Sequence, residues 1–174
     1  MPTPLENARW GFESNCFVCE LRNDAGLRIP FEHDEADGVV RASFTLDDRF
    51  SGAPSYVHGG VVLAVLDEAM AWATIALGET FAFTSETTTR FLHPVRVGRH
   101  YVVEARLEGA DAELHADAEQ LVTTASVLDA KGRPCAEARA SFVPLGPAQA
   151  LDALGTEATG DDARYVKGTG SSER

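Results

Sequence analysis

The chain has 174 residues, of which 44% are hydrophobic and 24% charged, a balance that suits one globular domain able to bury its core without staples. A formal net charge of -12 makes the surface broadly acidic and excludes nucleic acid as a partner, because one polyanion repels another. Three cysteines, Cys16, Cys19 and Cys135, exclude a disulfide framework. The opening MPTPLENARW does not read as a secretory signal, so a cytoplasmic protein with no membrane partner is expected.

Residues 1–25 read as an N-terminal arm carrying Trp10, Phe12 and Phe17. The first strand is expected in GLRIPFEH, residues 26–33. Residues 39–46 alternate, with Val40, Ala42, Phe44 and Leu46 on one face. Gly, Pro and Ser mark a loop through DDRFSGAPSYVHGG. Residues 60–77 form the one long helical candidate, apolar nearly all round and therefore buried, with Gly78 as its stop. Four strands follow, at 81–92, 100–108, about 118–128 and about 135–143. Ala136, Ala138 and Ala140 share a face, and small residues there let a helix lie close to the sheet. The predicted class is α+β, a curved antiparallel sheet wrapped around one central buried helix. Its body is expected over residues 26–145. A mobile tail is expected over residues 146–174, with a short helical stretch in PAQALDAL.

Chemistry concentrates in FSGAPSYVHGGVVLAVLDEAMAWA, residues 50–73. Gly59 and Gly60 start the helix with N–H groups that lack intrahelical partners, a place suited to a developing oxyanion. A glycine pair also serves plain close packing. Asp67 and Glu68 interrupt an apolar helix, so either is a general base or nucleophile, or else a carboxylate held by a cation or a wet stripe. Asp67 follows Gly60 by seven residues, roughly 10 Å along a helix axis. That is too far for both to grip one carbonyl group. If they serve one site, two chains must build it, and such sites come in symmetric pairs.

The segment HGGVVLAVLDEAMAWA, preceded by RFSGAPSYV and followed by TTRFLHPVRVGR, resembles the hotdog-fold acyl-CoA thioesterases of the PaaI-like and THEM-type group. His58, Gly59, Gly60 and Asp67 stand at that family's spacing. Pro94, Val95 and Gly98 match its turn. The resemblance covers about residues 16–145 and implies hydrolysis of an acyl-CoA or acyl-carrier thioester to acid and thiol, in a homodimer or dimer of dimers. It implies that the Gly59 N–H polarises the thioester carbonyl, with Gly60 beside it. Asp67 then attacks, or activates a water. A hydroxyl on the following strand places this water, and counting back from Pro94 gives Thr84, with Ser85 as its neighbour. His58 shapes the loop or touches the thioester. Arg90, Arg96 and Arg99 flank the Pro94 turn as a local basic patch for coenzyme A phosphates. Trp72, Phe81 and Phe83 line an acyl pocket or belong to the core.

Two departures bear on the water. Ser51, Gly52 and Ser55 stand where some relatives carry Asn or Gln, and Ala71 where some carry Thr or Ser. No metal and no organic cofactor is expected. Cys16-Phe-Val-Cys19 offers two ligands where a structural zinc site wants four, with only His33 and Cys135 as loose additions. The rivals are a hotdog dehydratase, a non-catalytic acyl-CoA-binding module and a purely structural oligomer.

Overall fold

The computed structural model describes residues 1–109 and 119–157. The central element is α1, Gly59–Ala76, and a seven-stranded antiparallel sheet curls around it. The strands are β1 (Thr3–Leu5), β2 (Phe31–Asp34), β3 (Val39–Thr45), β6 (Ala82–Phe91), β7 (His100–Leu107), β8 (Leu121–Asp129) and β9 (Pro134–Pro144). They lie in the order β1-β2-β3-β7-β8-β9-β6. A two-stranded ribbon, β4 (Ser51–Ala53) with β5 (Tyr56–Val57), occupies the expected loop and feeds α1. This is the hotdog arrangement.

The inner face of the sheet explains why one helix fits. Val40, Ala105, Ala125, Ala138 and Thr89 stand in register across five strands. Three successive alanines keep the middle of the cup shallow, so α1 can approach closely. Larger residues flank that row: Val103 beside Val127 on one side, Leu107 beside Thr123 on the other. The helix buries Val62, Val65, Leu66, Ala69, Met70, Trp72 and Ala73 against them. Each large apolar side chain removed from water contributes about 1.5–3 kcal/mol. By length and mean hydropathy, 1.5 over 18 residues, α1 is the one described helix able to cross a membrane, but it is the core helix of the sheet.

Two findings differ from the sequence expectation. The strand expected over residues 26–33 begins at Phe31 and not at Gly26, because Pro30 has no N–H. The N–H groups of Leu27 and Ile29 bond instead to the carbonyls of Phe17 and Val18. The N-terminal segment also supplies β1, an edge strand paired with β2, and inserts Trp10 into the core. Trp10 packs 5.1 Å from Trp72, and Phe81 meets it edge-on at 6.0 Å.

After β9, α2 (Pro147–Leu154) ends at Gly155, whose φ of 72° suits a residue without Cβ. The rest of the expected tail, residues 158–174, lies outside the described residues.

Among the described residues β6 holds the far edge of the sheet and pairs only with β9. Between Thr84 and Glu86 its register slips, so Ser85 is one extra residue against β9. Before this bulge Ala82 and Thr84 turn inward; after it Thr87 and Thr89 do.

Candidate active site

Asp67 sits at mid-helix on the half-open side of α1, with Leu63, Ala64 and Ala71 on the same stripe. The fully buried residues Val62, Leu66 and Met70 form the neighbouring stripe. Asp67 is half-buried, and its Oδ1 accepts a 2.8 Å hydrogen bond from Thr84 Oγ1 on β6. The bond fixes the carboxylate plane and leaves Oδ2 without a bond among the described residues. Ser85, the bulge residue, turns the other way and donates to the Ser141 carbonyl at 2.9 Å.

His58 caps α1. Its Nδ1 accepts the Gly60 N–H at 2.9 Å, so that nitrogen carries no proton. Its backbone N–H is donated to the Phe50 carbonyl. Gly52 makes room for the imidazole, since a Cβ there would come within 3.1 Å of it. The cap divides the two glycines. Gly60 spends its N–H on His58, whereas no described acceptor takes that of Gly59. Gly59 is exposed at the positive end of the helix dipole.

A cleft of about 250 Å³ opens beside Gly59, lined by Tyr56, Val62, Phe91, His93 and Pro94. Pro94 also borders a larger cavity of about 670 Å³ that holds Arg96, Arg99, Lys131 and Arg133, with Asp129. Arg133 is paired with Asp129 at 3.0 Å, and Arg96 lies over the Tyr56 ring. Arg90 stands apart from this cavity and faces Glu137 at 3.7 Å. The structure therefore joins Arg96 and Arg99, adds Lys131 and Arg133, and leaves Arg90 elsewhere. In the sequence Lys131 stands beside Gly132 in a turn, and nothing local marks it as part of a cation site.

Trp72 and Phe81 belong to the aromatic core with Trp10. Phe83, 51% exposed, and Phe91, 57% exposed, lie on the edge strand β6, with Phe91 beside Gly59.

An antiparallel sheet curled around one core helix defines the hotdog class, and here that helix carries a half-buried carboxylate. Residues 55–130 match the family profile described as "Thioesterase superfamily". A solved thioesterase superfamily protein is 26% identical, with a TM-score of 0.61 over 70% of this chain; the chain spans only 58% of that protein's length. The PaaI protein of E. coli, from the phenylacetic acid degradation operon, is 20% identical with a TM-score of 0.57, covering 69% of this chain and 81% of its own. A hypothetical thioesterase protein of Streptococcus pneumoniae, solved with coenzyme A, is 16% identical with a TM-score of 0.55, covering 63% and 80%. No curated protein matches the sequence. The resemblance to the hotdog thioesterase superfamily is borne out.

Proposed function

We propose that the protein hydrolyses an acyl-coenzyme A thioester, with Asp67 of one chain and the Gly59 N–H of its two-fold mate acting on one carbonyl group. The observation that carries this reading is the Thr84–Asp67 hydrogen bond on the open side of a core helix. A carboxylate held there for packing alone has no use for an oriented, unshared oxygen. Water bound at Oδ2 gives up a proton to Asp67 as its oxygen attacks the thioester carbon. The carbonyl oxygen becomes an oxyanion and accepts the Gly59 N–H. The C–S bond then breaks, the thiolate departs and takes a proton, and the acid is left. Thr84 holds the carboxylate through both steps. His58 acts on the geometry, by taking up the Gly60 N–H and leaving that of Gly59 aimed outward.

Dimerisation is supported by the edge of the sheet. β6 presents a backbone edge that no described strand pairs, with the exposed Phe83 and Phe91, next to the open stripe of α1. A second copy across this edge covers both and brings its own Gly59 toward Asp67. The ligand class is supported by charge. In a chain of net charge -12, the cavity with Arg96, Arg99, Lys131 and Arg133 is a local concentration of cations, and it adjoins the cleft at Gly59 through Pro94. A nucleotide phosphate in the cavity and a pantetheine arm in the cleft would lead the thioester to the helix start. A panel of acyl-CoA substrates, followed by release of free thiol, tests the reading. Asp67→Asn, nearly isosteric, should lower kcat by about 10²-fold or more while the fold persists. Normal turnover by that variant refutes the mechanism, and silence across the panel favours the binding-module alternative.

A further inference from the structure

The Cys16–Cys19 pair does not stand alone in the fold. The half-buried Glu68, next to Asp67 on α1, reaches it across 52 positions of sequence, with Cys16 Sγ 3.4 Å from Glu68 Oε1. One ligand atom from each of Cys16, Cys19 and Glu68 falls within 4.8 Å of the others. The missing third ligand is thus a helix carboxylate, not His33 or Cys135.

Three further observations bear on what this cluster holds. First, Cys16 Sγ accepts the backbone N–H groups of Val18, at 3.3 Å, and of Cys19, at 3.4 Å. Two N–H groups directed at one sulfur stabilise a thiolate, the form that binds metal. Second, Asn7 Nδ2 lies 3.9 Å from Cys19 Sγ, an outer donor of the kind that orients a ligating sulfur. Third, a cavity of about 180 Å³, lined by Leu5, Asn7 and Arg22 among others, borders Cys19.

We propose that Cys16, Cys19 and Glu68 bind a thiophilic divalent cation of the zinc class, with water in the fourth position. The sulfur–oxygen separation of 3.4 Å is close to that in a tetrahedral site, about 3.6 Å for zinc bonds of about 2.3 Å to sulfur and about 2.0–2.2 Å to oxygen. The cation ties the N-terminal segment to α1 one residue beyond Asp67. The proposal stands on this cluster alone and is independent of the hydrolysis reading.

The test is metal binding by the full, reduced chain. Cobalt(II) added to the reduced wild type should produce a thiolate-to-metal charge-transfer band and the intense visible absorption of a tetrahedral site. Zinc titrated against a chromophoric chelator should bind once per chain. Cys16→Ser and Cys19→Ser should each weaken it by about 100-fold or more, and Glu68→Gln by about tenfold or more. The cobalt spectrum of the wild type needs no variant, so misfolding of a cysteine mutant cannot mask the answer. Reduced wild-type protein that gives no charge-transfer band overturns the proposal. So does zinc affinity that is unchanged in Glu68→Gln, because two cysteines without the helix carboxylate are not this site.

Discussion

Thr84→Val removes one hydroxyl and keeps the volume and the β-branch that a strand accepts. The lost contact is the 2.8 Å bond to Asp67 Oδ1. A hydrogen bond to an ionised group contributes ~1.5–3 kcal/mol. Asp67 is only half-buried, so water can replace part of it, and ~1–2 kcal/mol of orientation should be lost. That corresponds to a fall in kcat of about 5- to 30-fold. KM should barely move, because Thr84 lies away from the cavity with Arg96 and Arg99. The informative comparison is the double variant with Asp67→Asn. If Thr84 acts only through Asp67, the double variant should be no slower than Asp67→Asn alone, since residues acting as a unit are not additive. Steady-state thiol release on a responsive acyl-CoA measures all three. A Thr84→Val enzyme with kcat within about twofold of wild type, or losses that multiply in the double variant, would refute the reasoning.

Arg96→Ala combined with Arg99→Ala should raise KM for acyl-CoA by about tenfold with kcat little changed, while Arg90→Ala, whose partner is Glu137, should leave both alone. Acyl-pantetheine, which lacks the nucleotide, should be indifferent to all three changes, and an equal effect on it would move the phosphate site elsewhere. Mixed dimers of an Asp67→Asn chain with a Gly59→Pro chain should recover up to about half of wild-type activity, because one site per dimer then draws on two intact halves. Verified heterodimers without activity would falsify the shared site. Trp10→Ala should cost about 3–5 kcal/mol and lower Tm by about 10 °C or more, since Trp10 fills the core against Trp72. A small shift in a thermal melt would show that the N-terminal segment is dispensable.

The helix and most strands were legible because their periods are clean. Val40, Ala42, Phe44 and Leu46 alternate without interruption and are all buried. The stretch from Gly59 to Ala76 is apolar on too many sides to be anything but a core helix. β1 was not legible: three residues, Thr3–Leu5, are too few to display alternation, and only the sheet edge at β2 makes them a strand. Thr84 was reached by counting back from Pro94, and its hydroxyl lies against Asp67. Cys16 and Cys19 were visible as a spaced pair, but Glu68 as their third member was not, since helix and arm meet only when the chain folds. Lys131 and Arg133 joined Arg96 and Arg99 for the same reason, two turns being brought to one cavity.

The extra residue at Ser85 gives β6 a reading frame. A strand shows alternate residues to each side, so one inserted position exchanges the two sides for everything beyond it. Here the exchange falls immediately after Thr84. The stretch Thr87-Thr88-Thr89 would satisfy either frame, because its neighbours are alike in size and chemistry. The segment before it would not: a slip by one puts Phe83 toward Asp67 and Thr84 toward solvent. Chemistry at this site therefore depends on phase as much as on composition. Two chains with the same residues in the same order, differing by a single position here, would share a fold and present a different group to the carboxylate.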